Sequence, residues 1–599
     1  MSPNASILAR AAPVTSADRL ARNQIQLAHV MQLWIFLGTV LVFFTLVNAI
    51  RYISQKLTTL PEHSNFSTKE KNDEELDKTP RTIPSPFQRS LSALRTGFRI
   101  VFLRWSVPIG LGSFASVTEL TFIFVYIAAM FVWLLVDTRD LAAYMYQDRA
   151  AHIASSQIPL VVALAGKNNV ISWLTGVGHE RLNVLHRASA RTNFIFFWIH
   201  ALTRVVSGLS KNFDFTHDWM RSGAVSLTAL TLATILSVRP IRNAAFEFFL
   251  VTHIVFILIF IIGGYYHAKE QNFGGYIWPG LLIWGFDRAI RTGRLIWNNK
   301  MWNRAHPGDA LVELLSEDTI RLTMRRKISW TPGQHAYVIL PTISSLPFEA
   351  HPFTIASIPQ VGAESKECDI VFLIRGRGGF TQRLREHATK DHGSRVPAFL
   401  DGPYGCPPDL RPFSTCVLIA GGSGISYTLP LLLDLISLNA RGGKMAVRRV
   451  IFVWAVRDAA HLKWISKTLM EALSRSKSSL IVEPRIYITG KNYPIPEVPT
   501  ISSDGASISS SVDKEDISHN ELPVYSSLKL IHGRPSVKKL LAEEIEAAQG
   551  PVSVDVAGPS KLAESVRRAL SSELAGPKAA LKGSQPVTLH VETFGMIKA

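Results

Sequence analysis

Cysteine is nearly missing from this chain: Cys368, Cys406 and Cys416 are the three in 599 residues, and all fall in the C-terminal half. That count excludes a disulfide framework and suits a reducing compartment for that half. Acidic residues are the scarcer charge, 46 Asp and Glu against 64 Lys and Arg, for a net +18. The excess raises nucleic acid as a partner class, but many of these cations flank apolar runs, where they set membrane orientation, and nucleic acid is set aside on that ground. A short signal-peptide core is lacking too. Residues 1–29 are polar, and the first apolar run, 30–50, has the length of a spanning helix, so it is expected to stay in the membrane with the N-terminus extracytosolic.

What is abundant is apolar, at 47% of residues with 13 Trp. Spanning-length runs lie near 30–50, 118–137, 158–177, 190–208, 219–239, 246–267 and 276–290, each close to the about 20 residues a bilayer requires. The reading is an α-helical polytopic domain of about seven spans over 30–291, the third interrupted by Lys167, Asn168 and Asn169. A shorter run at 98–114, broken by Arg104, Pro108, Gly110 and Gly112, reads as an interfacial or re-entrant piece. Arg181, Arg187 and Arg191 precede the fourth run, Arg239 and Arg242 follow the fifth, and Arg288, Arg291 and Arg294 close the seventh. The loops at 138–157, 209–218 and 268–275 are poor in cations, so they are expected outside and everything after 291 in the cytosol. The fourth and sixth spans then run parallel. Residues 51–97, mixed in charge and rich in Ser, Thr and Pro, read as a flexible cytosolic loop.

His186 and His200 are 14 residues apart around the fourth run, and His253 and His267 are 14 apart around the sixth. Fourteen residues of helix make about four turns and advance roughly 21 Å, returning to nearly the same face near the opposite membrane surface. On parallel helices His186 matches His253 in depth, and His200 matches His267. Two facing imidazoles at one level can fill both axial positions of a haem iron, and two stacked haems make an electron path across the membrane. Polar groups inside a bilayer are expensive and tend to be functional, so matched pairs outweigh a lone interfacial histidine. His29, His152, His179 and His217 lack such matching and are read as ordinary hydrogen-bonded residues. Arg204, one turn past His200, reads equally as a partner for a haem propionate and as an interfacial anchor.

Past residue 304 the pattern turns to short strand-like stretches at 310–315, 319–324 and 335–340 between Pro and Gly turns, a small antiparallel barrel over 304–410. Within it His351, Pro352, Phe353 and Thr354 combine an aromatic ring, a fixed backbone and a hydroxyl, which suits an isoalloxazine edge. Arg375, followed by Gly379, Phe380 and Thr381, supplies a cation and backbone N–H groups of the kind that hold a pyrophosphate. The buried strand 417–420 leads into Gly421, Gly422, Ser423 and Gly424 and then an apolar helix, an arrangement that lets backbone approach a dinucleotide. The G-x-G-x-x-G pattern is absent, so a flavodoxin-like or plain α/β turn stays open. Trp454 near the end of the next strand, and Arg457 beyond it, fall where a doubly wound sheet presents ligand-binding groups. Arg457, with Arg534, can grip a 2′-phosphate and favour NADPH over NADH; the alternative is a pair of solvated cations. Residues 411–599 thus read as a doubly wound α/β domain, interrupted at 490–527 by a Ser-rich stretch expected to be a disordered insertion. It resumes with the strand 552–556 and Gly558-Pro559, and its last strand leads to Phe594, an aromatic that suits either stacking over a flavin or a core.

The ordered set of histidine pairs, H-P-F-T at 351–354, D-G-P-Y-G at 401–405, G-G-S-G-I-S at 421–426, W-A-V-R-D at 454–458, G-R-P at 533–535 and V-E-T-F-G at 591–595 resembles the fungal ferric-chelate reductase family, relatives of the NADPH oxidases. The likeness covers 160–490 and 530–599. It implies two bis-histidine b-type haems, FAD and NADPH, and reduction of extracytosolic ferric or cupric chelates ahead of metal uptake, usually at the plasma membrane, with a metal permease or oxidase downstream. The cofactors carry the chemistry, and no side chain need act as acid or base. Where the family commonly has Cys-Gly-Pro, this chain has Ala557-Gly558-Pro559. NADPH oxidases tend to set the second histidine pair one residue closer, so equal spacing favours the metalloreductase. Two other functions stay open: an NADPH oxidase that passes electrons to dioxygen, and a catalytically impaired haem-containing membrane sensor, which Ala557 would suit.

Overall fold

A computed structural model describes residues 16–58, 86–101, 105–108, 114–136, 143–206, 208, 214–301, 310–359, 367–490, 528–571 and 574–592. The chain divides into two compact units, Met1–Tyr52 with Thr118–Thr292, and Ile53–Val117 with Gly293–Ala599. In chain order the helices up to residue 298 are α1 (Ser16–Thr58), α2 (Pro86–Arg99), α3 (Val117–Leu135), α4 (Ala143–Ala165), α5 (Val170–Thr175), α6 (His179–Val206), α7 (Asp218–Leu236), α8 (Arg239–Ala244), α9 (Phe246–Lys269) and α10 (Trp278–Asn298).

Among the described residues four helices are long and apolar enough to cross a bilayer: Gln24–Ile53 within α1, α3, α7 and α9. Helices α4, α6 and α10, with 23, 28 and 21 residues, are of spanning length but more polar. The expected third span at 158–177 is corrected. Helix α4 starts fifteen residues earlier and ends at Ala165, because Asn169 caps a separate short helix, α5, through its side chain on the Ile171 N–H. Arg149 and His152, expected in an outer loop, therefore lie buried within α4. Arg149 donates to Gln26 and to the Leu134 and Val136 carbonyls, satisfying the open C-terminal end of α3. Asp287 of α10 accepts from the backbone and side chain of Asn168, closing the α4–α5 turn.

Helices α4 and α6 pack antiparallel: Val161 meets His186 and Ala154 meets Asn193, partners that move in opposite directions along the chain. Helices α7 and α9 do the same, with Trp219 against His267 and Ser226 against Phe260. Helices α6 and α9 run parallel, Phe197 touching Phe260 and His200 facing His267.

The second unit opens with α2 and a short hairpin of β1 (Ser106–Pro108) and β2 (Phe114–Ser116). Within the segment expected to be a flexible loop, residues 51–58 complete α1 and 86–97 belong to α2, while 59–85 lie outside the described residues. Strands β3 (Ala310–Ser316), β4 (Thr319–Arg326), β5 (His335–Ile339), β6 (His351–Thr354) and β7 (Cys368–Arg375), helix α11 (Gly379–Lys390), and strands β8 (Arg395–Val396) and β9 (Phe399–Tyr404) follow. They form two antiparallel sheets, β7-β4-β3-β8 and β6-β5-β9, whose inner faces share a core around Val312, Leu322, Val338 and Phe372.

The remaining elements are β10 (Thr415–Gly421), α12 (Ile425–Ala440), β11 (Arg449–Val456), α13 (Ser466–Ser474), β12 (Ile481–Ile488), β13 (Lys529–His532), α14 (Val537–Ala547), β14 (Val552–Ala557), α15 (Ser560–Ser571), α16 (Pro577–Leu581) and β15 (Val587–Glu592). They build one parallel sheet in the order β13-β12-β11-β10-β14-β15, with apolar cores on both faces. The chain moves outward from β10 to β13 and then returns to the other side of β10. The strand order reverses between β10 and β14, and ligands of such sheets bind in the crevice at the carboxyl ends of those strands.

Candidate functional site

The four candidate histidines, His186, His200, His253 and His267, lie in the first unit and come together as the two expected pairs. In each pair the residues stand 67 positions apart, which keeps both at matched levels on parallel helices. The rings of His200 and His267 have centroids 6.3 Å apart at an interplanar angle of 68°, and His186 and His253 are near enough to interact electrostatically. His186 Nδ1 lies 2.8 Å from the Val161 carbonyl and His267 Nδ1 3.0 Å from the Trp219 carbonyl. A carbonyl only accepts, so Nδ1 carries the proton in each ring and Nε2 keeps its lone pair. His253 lies beside the Ala233 carbonyl without a well-formed hydrogen bond. Gly223 gives His267 its place: a β-carbon there would stand 2.5 Å from His267 Nδ1.

In the second unit the rings of β6 face the start of α11. His351 stacks on Phe380 at 4.2 Å and 20°, and Phe353 lies 6.2 Å from the same ring. Glu349 is 2.6 Å from His351 Nε2 and accepts from Arg383 at 3.2 Å, which locks the imidazole. Pro352 is exposed and Thr354 buried. Gly379 takes φ +51, and the Thr381 hydroxyl donates to the Gly378 carbonyl while accepting from the Arg377 N–H, which shapes the first turn of α11. Arg375 pairs with Asp318, and its guanidinium reaches to within 3.8 Å of where a β-carbon on Gly422 would sit.

The β10 loop and the β14 turn interlock. A β-carbon on Gly424 would stand 2.1 Å from the Ala557 carbonyl oxygen, one on Gly421 2.8 Å from Pro559, and one on Gly558, at φ +146, 2.9 Å from the Gly421 backbone. Gly422 takes φ +56 and Ser423 completes the loop before α12. Trp454 is fully buried and donates its indole N–H to the Gly422 carbonyl at 3.0 Å, so it supports the loop from below. Arg457 and Arg534 follow the carboxyl ends of β11 and β13. Phe594 lies outside the described residues.

Three residues here escaped the sequence reading. Burial, then the neighbouring Arg375, lower Arg377 from the usual guanidinium value, and Arg457 adds to that, so three guanidinium groups converge. Asp318 answers them: burial raises its carboxyl, but Arg375 and the Thr319 hydroxyl outweigh that and hold it below the carboxylate norm. His461 joins at 3.6 Å from Asp318. The doublet Arg375-Gly376-Arg377 was the available signal.

Three family models match in chain order: ferric reductase like transmembrane component over 150–264, FAD-binding domain over 307–408, and ferric reductase NAD binding domain over 413–571. A probable ferric reductase transmembrane component of Candida albicans is 25% identical over 72% of this chain and 63% of its own length. A probable cell surface ferric reductase of Aspergillus oryzae is 33% identical over 54% and 44%. Ferric/cupric reductase transmembrane component 7 of Saccharomyces cerevisiae is 28% identical over 57% and 54%. The chain thus spans less than two thirds of the length of each of these relatives. With membrane, flavin and nucleotide domains matched in that order and such relatives on either side, the chain belongs to the fungal ferric reductase family.

Proposed function

We propose that this chain is a transmembrane metalloreductase that carries electrons from cytosolic NADPH, through FAD and two bis-histidine b-type haems, to ferric or cupric chelates on the opposite side of a plasma membrane crossed seven times. The observation that carries the reading is the paired histidines. Two imidazoles that shared one iron at metal–nitrogen distances of about 2 Å would have centroids roughly 6 Å apart, and the His200 and His267 rings stand at 6.3 Å. The carbonyl partners of His186 and His267 orient Nε2 as a ligand should be oriented. The donor set is all imidazole, as low-spin haem iron prefers.

When bound, FAD would supply hydride acceptance from NADPH and haem would supply single-electron transfer; the chain supplies placement. His351, Pro352, Phe353 and Thr354 would line the isoalloxazine. Arg375 with Gly379, Phe380 and Thr381 would hold the FAD pyrophosphate at the start of α11. The loop of Gly421, Gly422, Ser423 and Gly424, closed by Gly558 and Pro559, would let the NADPH backbone approach the sheet. Trp454 would hold that loop in position, and Arg457 with Arg534 would take the 2′-phosphate. Four turns of helix then separate the inner pair, His186 and His253, from the outer pair, His200 and His267, by roughly 21 Å along the membrane normal.

The test uses the full chain in sealed vesicles with NADPH supplied on one side and an impermeant ferric chelate on the other. The reading predicts chelate reduction that superoxide dismutase leaves unchanged. Full inhibition by the dismutase assigns the outer electron to dioxygen, and a haem band without NADPH turnover assigns the chain to sensing; either result contradicts the proposal.

A further inference from the structure

Helix α2 carries two faces. Ala93 is buried, Gly97 lies against Pro577 of α16 at β-carbon contact distance, 3.6 Å, and Arg99 donates to the Thr588 hydroxyl of β15 at 3.2 Å. This face seats the helix on the nucleotide-binding domain. The opposite face is Phe87, Leu91, Leu94 and Phe98, spaced four, three and four residues apart, which sets them on one stripe. They are 78%, 40%, 73% and 59% exposed, an unusual placement for four large apolar side chains in a row.

The charges of α2 are of one sign. It contains Arg89, Arg95 and Arg99 and neither Asp nor Glu. Arg99 is engaged with Thr588, while Arg95 is exposed beside the stripe. A basic side chain next to an apolar stripe on a short helix is the makeup of a segment that lies in a membrane interface, with its rings among the headgroups and its guanidinium on a lipid phosphate. The helix also falls in the chain between α1 and α3, both long and apolar enough to span a bilayer. We propose that α2 is an interfacial helix whose partner is an anionic phospholipid surface, and that it fastens the nucleotide-binding domain to the membrane leaflet that domain faces. The assignment is independent of what the haems reduce, and its readout involves no turnover.

The test places a single environment-sensitive fluorophore on the full chain in lipid nanodiscs, at Leu94→Cys in a Cys406→Ser background; the other two cysteines are buried. A second chain carries the probe at Lys561→Cys on the exposed side of α15. In discs of phosphatidylcholine with phosphatidylserine, spin-labelled lipid should quench the Leu94 probe several-fold more than the Lys561 probe. Removing the phosphatidylserine, or adding Arg95→Gln, should weaken that quenching. Equal quenching at the two positions overturns the proposal. So does a blue-shifted Leu94 probe that lipid does not quench, which would mean protein covers the stripe, and so does quenching indifferent to lipid charge.

Discussion

Asp555 stands at the centre of β14, fully buried, accepting from the Ser553 hydroxyl at 2.7 Å and paired in register with His590 of β15. Burial lifts its carboxyl to about 6, against a smaller opposite pull from His590 and Ser553. A carboxyl whose folded value exceeds its unfolded value of about 3.9 contributes stability that is whole below that value and lost as pH rises through about 6. At pH 8 the buried charge therefore works against folding. Asp555→Asn is expected to melt later than the parent at pH 8, by the equivalent of about 1–3 kcal/mol, with the gap closing toward pH 4. A variant that melts earlier at pH 8 would show that the carboxylate is held by a cation instead. At this scale the sequence was most informative where a residue type has one use at one spacing, as with the histidine intervals. It was least so for Trp454. Both faces of a parallel sheet are covered, so strand alternation carries no record of which side a residue takes, and only the indole bond to Gly422 shows it beneath the loop.

The elements were legible where an apolar run coincides with a helix, as in α3, α7 and α9, and illegible where a helix buries polar groups against its neighbours. Helix α4 contains Arg149, His152 and Gln157, all buried, and its polarity hid its first half. Helix α2 left a readable 3.6-residue period, but a mixed and Ser-rich flank masked it. The junction of β10 and β14 yields a sharper expectation. The backbone of Ala557 occupies the space a methyl on Gly424 would need, and neither strand can retreat from a sheet buried on both sides. Gly424→Ala should lower the melting temperature by an amount matching about 1–3 kcal/mol or more. It should also slow NADPH-driven flavin reduction, read by stopped-flow absorbance, while flavin content persists. Parental reduction rates in that variant would remove the loop from the nucleotide site.

On the scale of the whole molecule, one unit holds two pairs of imidazoles at levels four helical turns apart, and the other holds the crevice and the cluster of guanidinium groups suited to a dinucleotide. The division of labour was readable from the sequence because each half has its own periodicity, long apolar runs first and short strands between Gly and Pro afterwards. The terminal acceptor was not readable, since nothing in the segments that the sequence suggests as outer loops distinguishes a chelate from dioxygen. The central claim is the electron path itself, and the most direct measurement of it is the haem content of the purified full chain by pyridine haemochrome, set against polypeptide concentration. The account predicts two b-type haems per chain, with one retained when His267→Ala removes a ligand of the outer pair. A parent chain that holds fewer than two would contradict it.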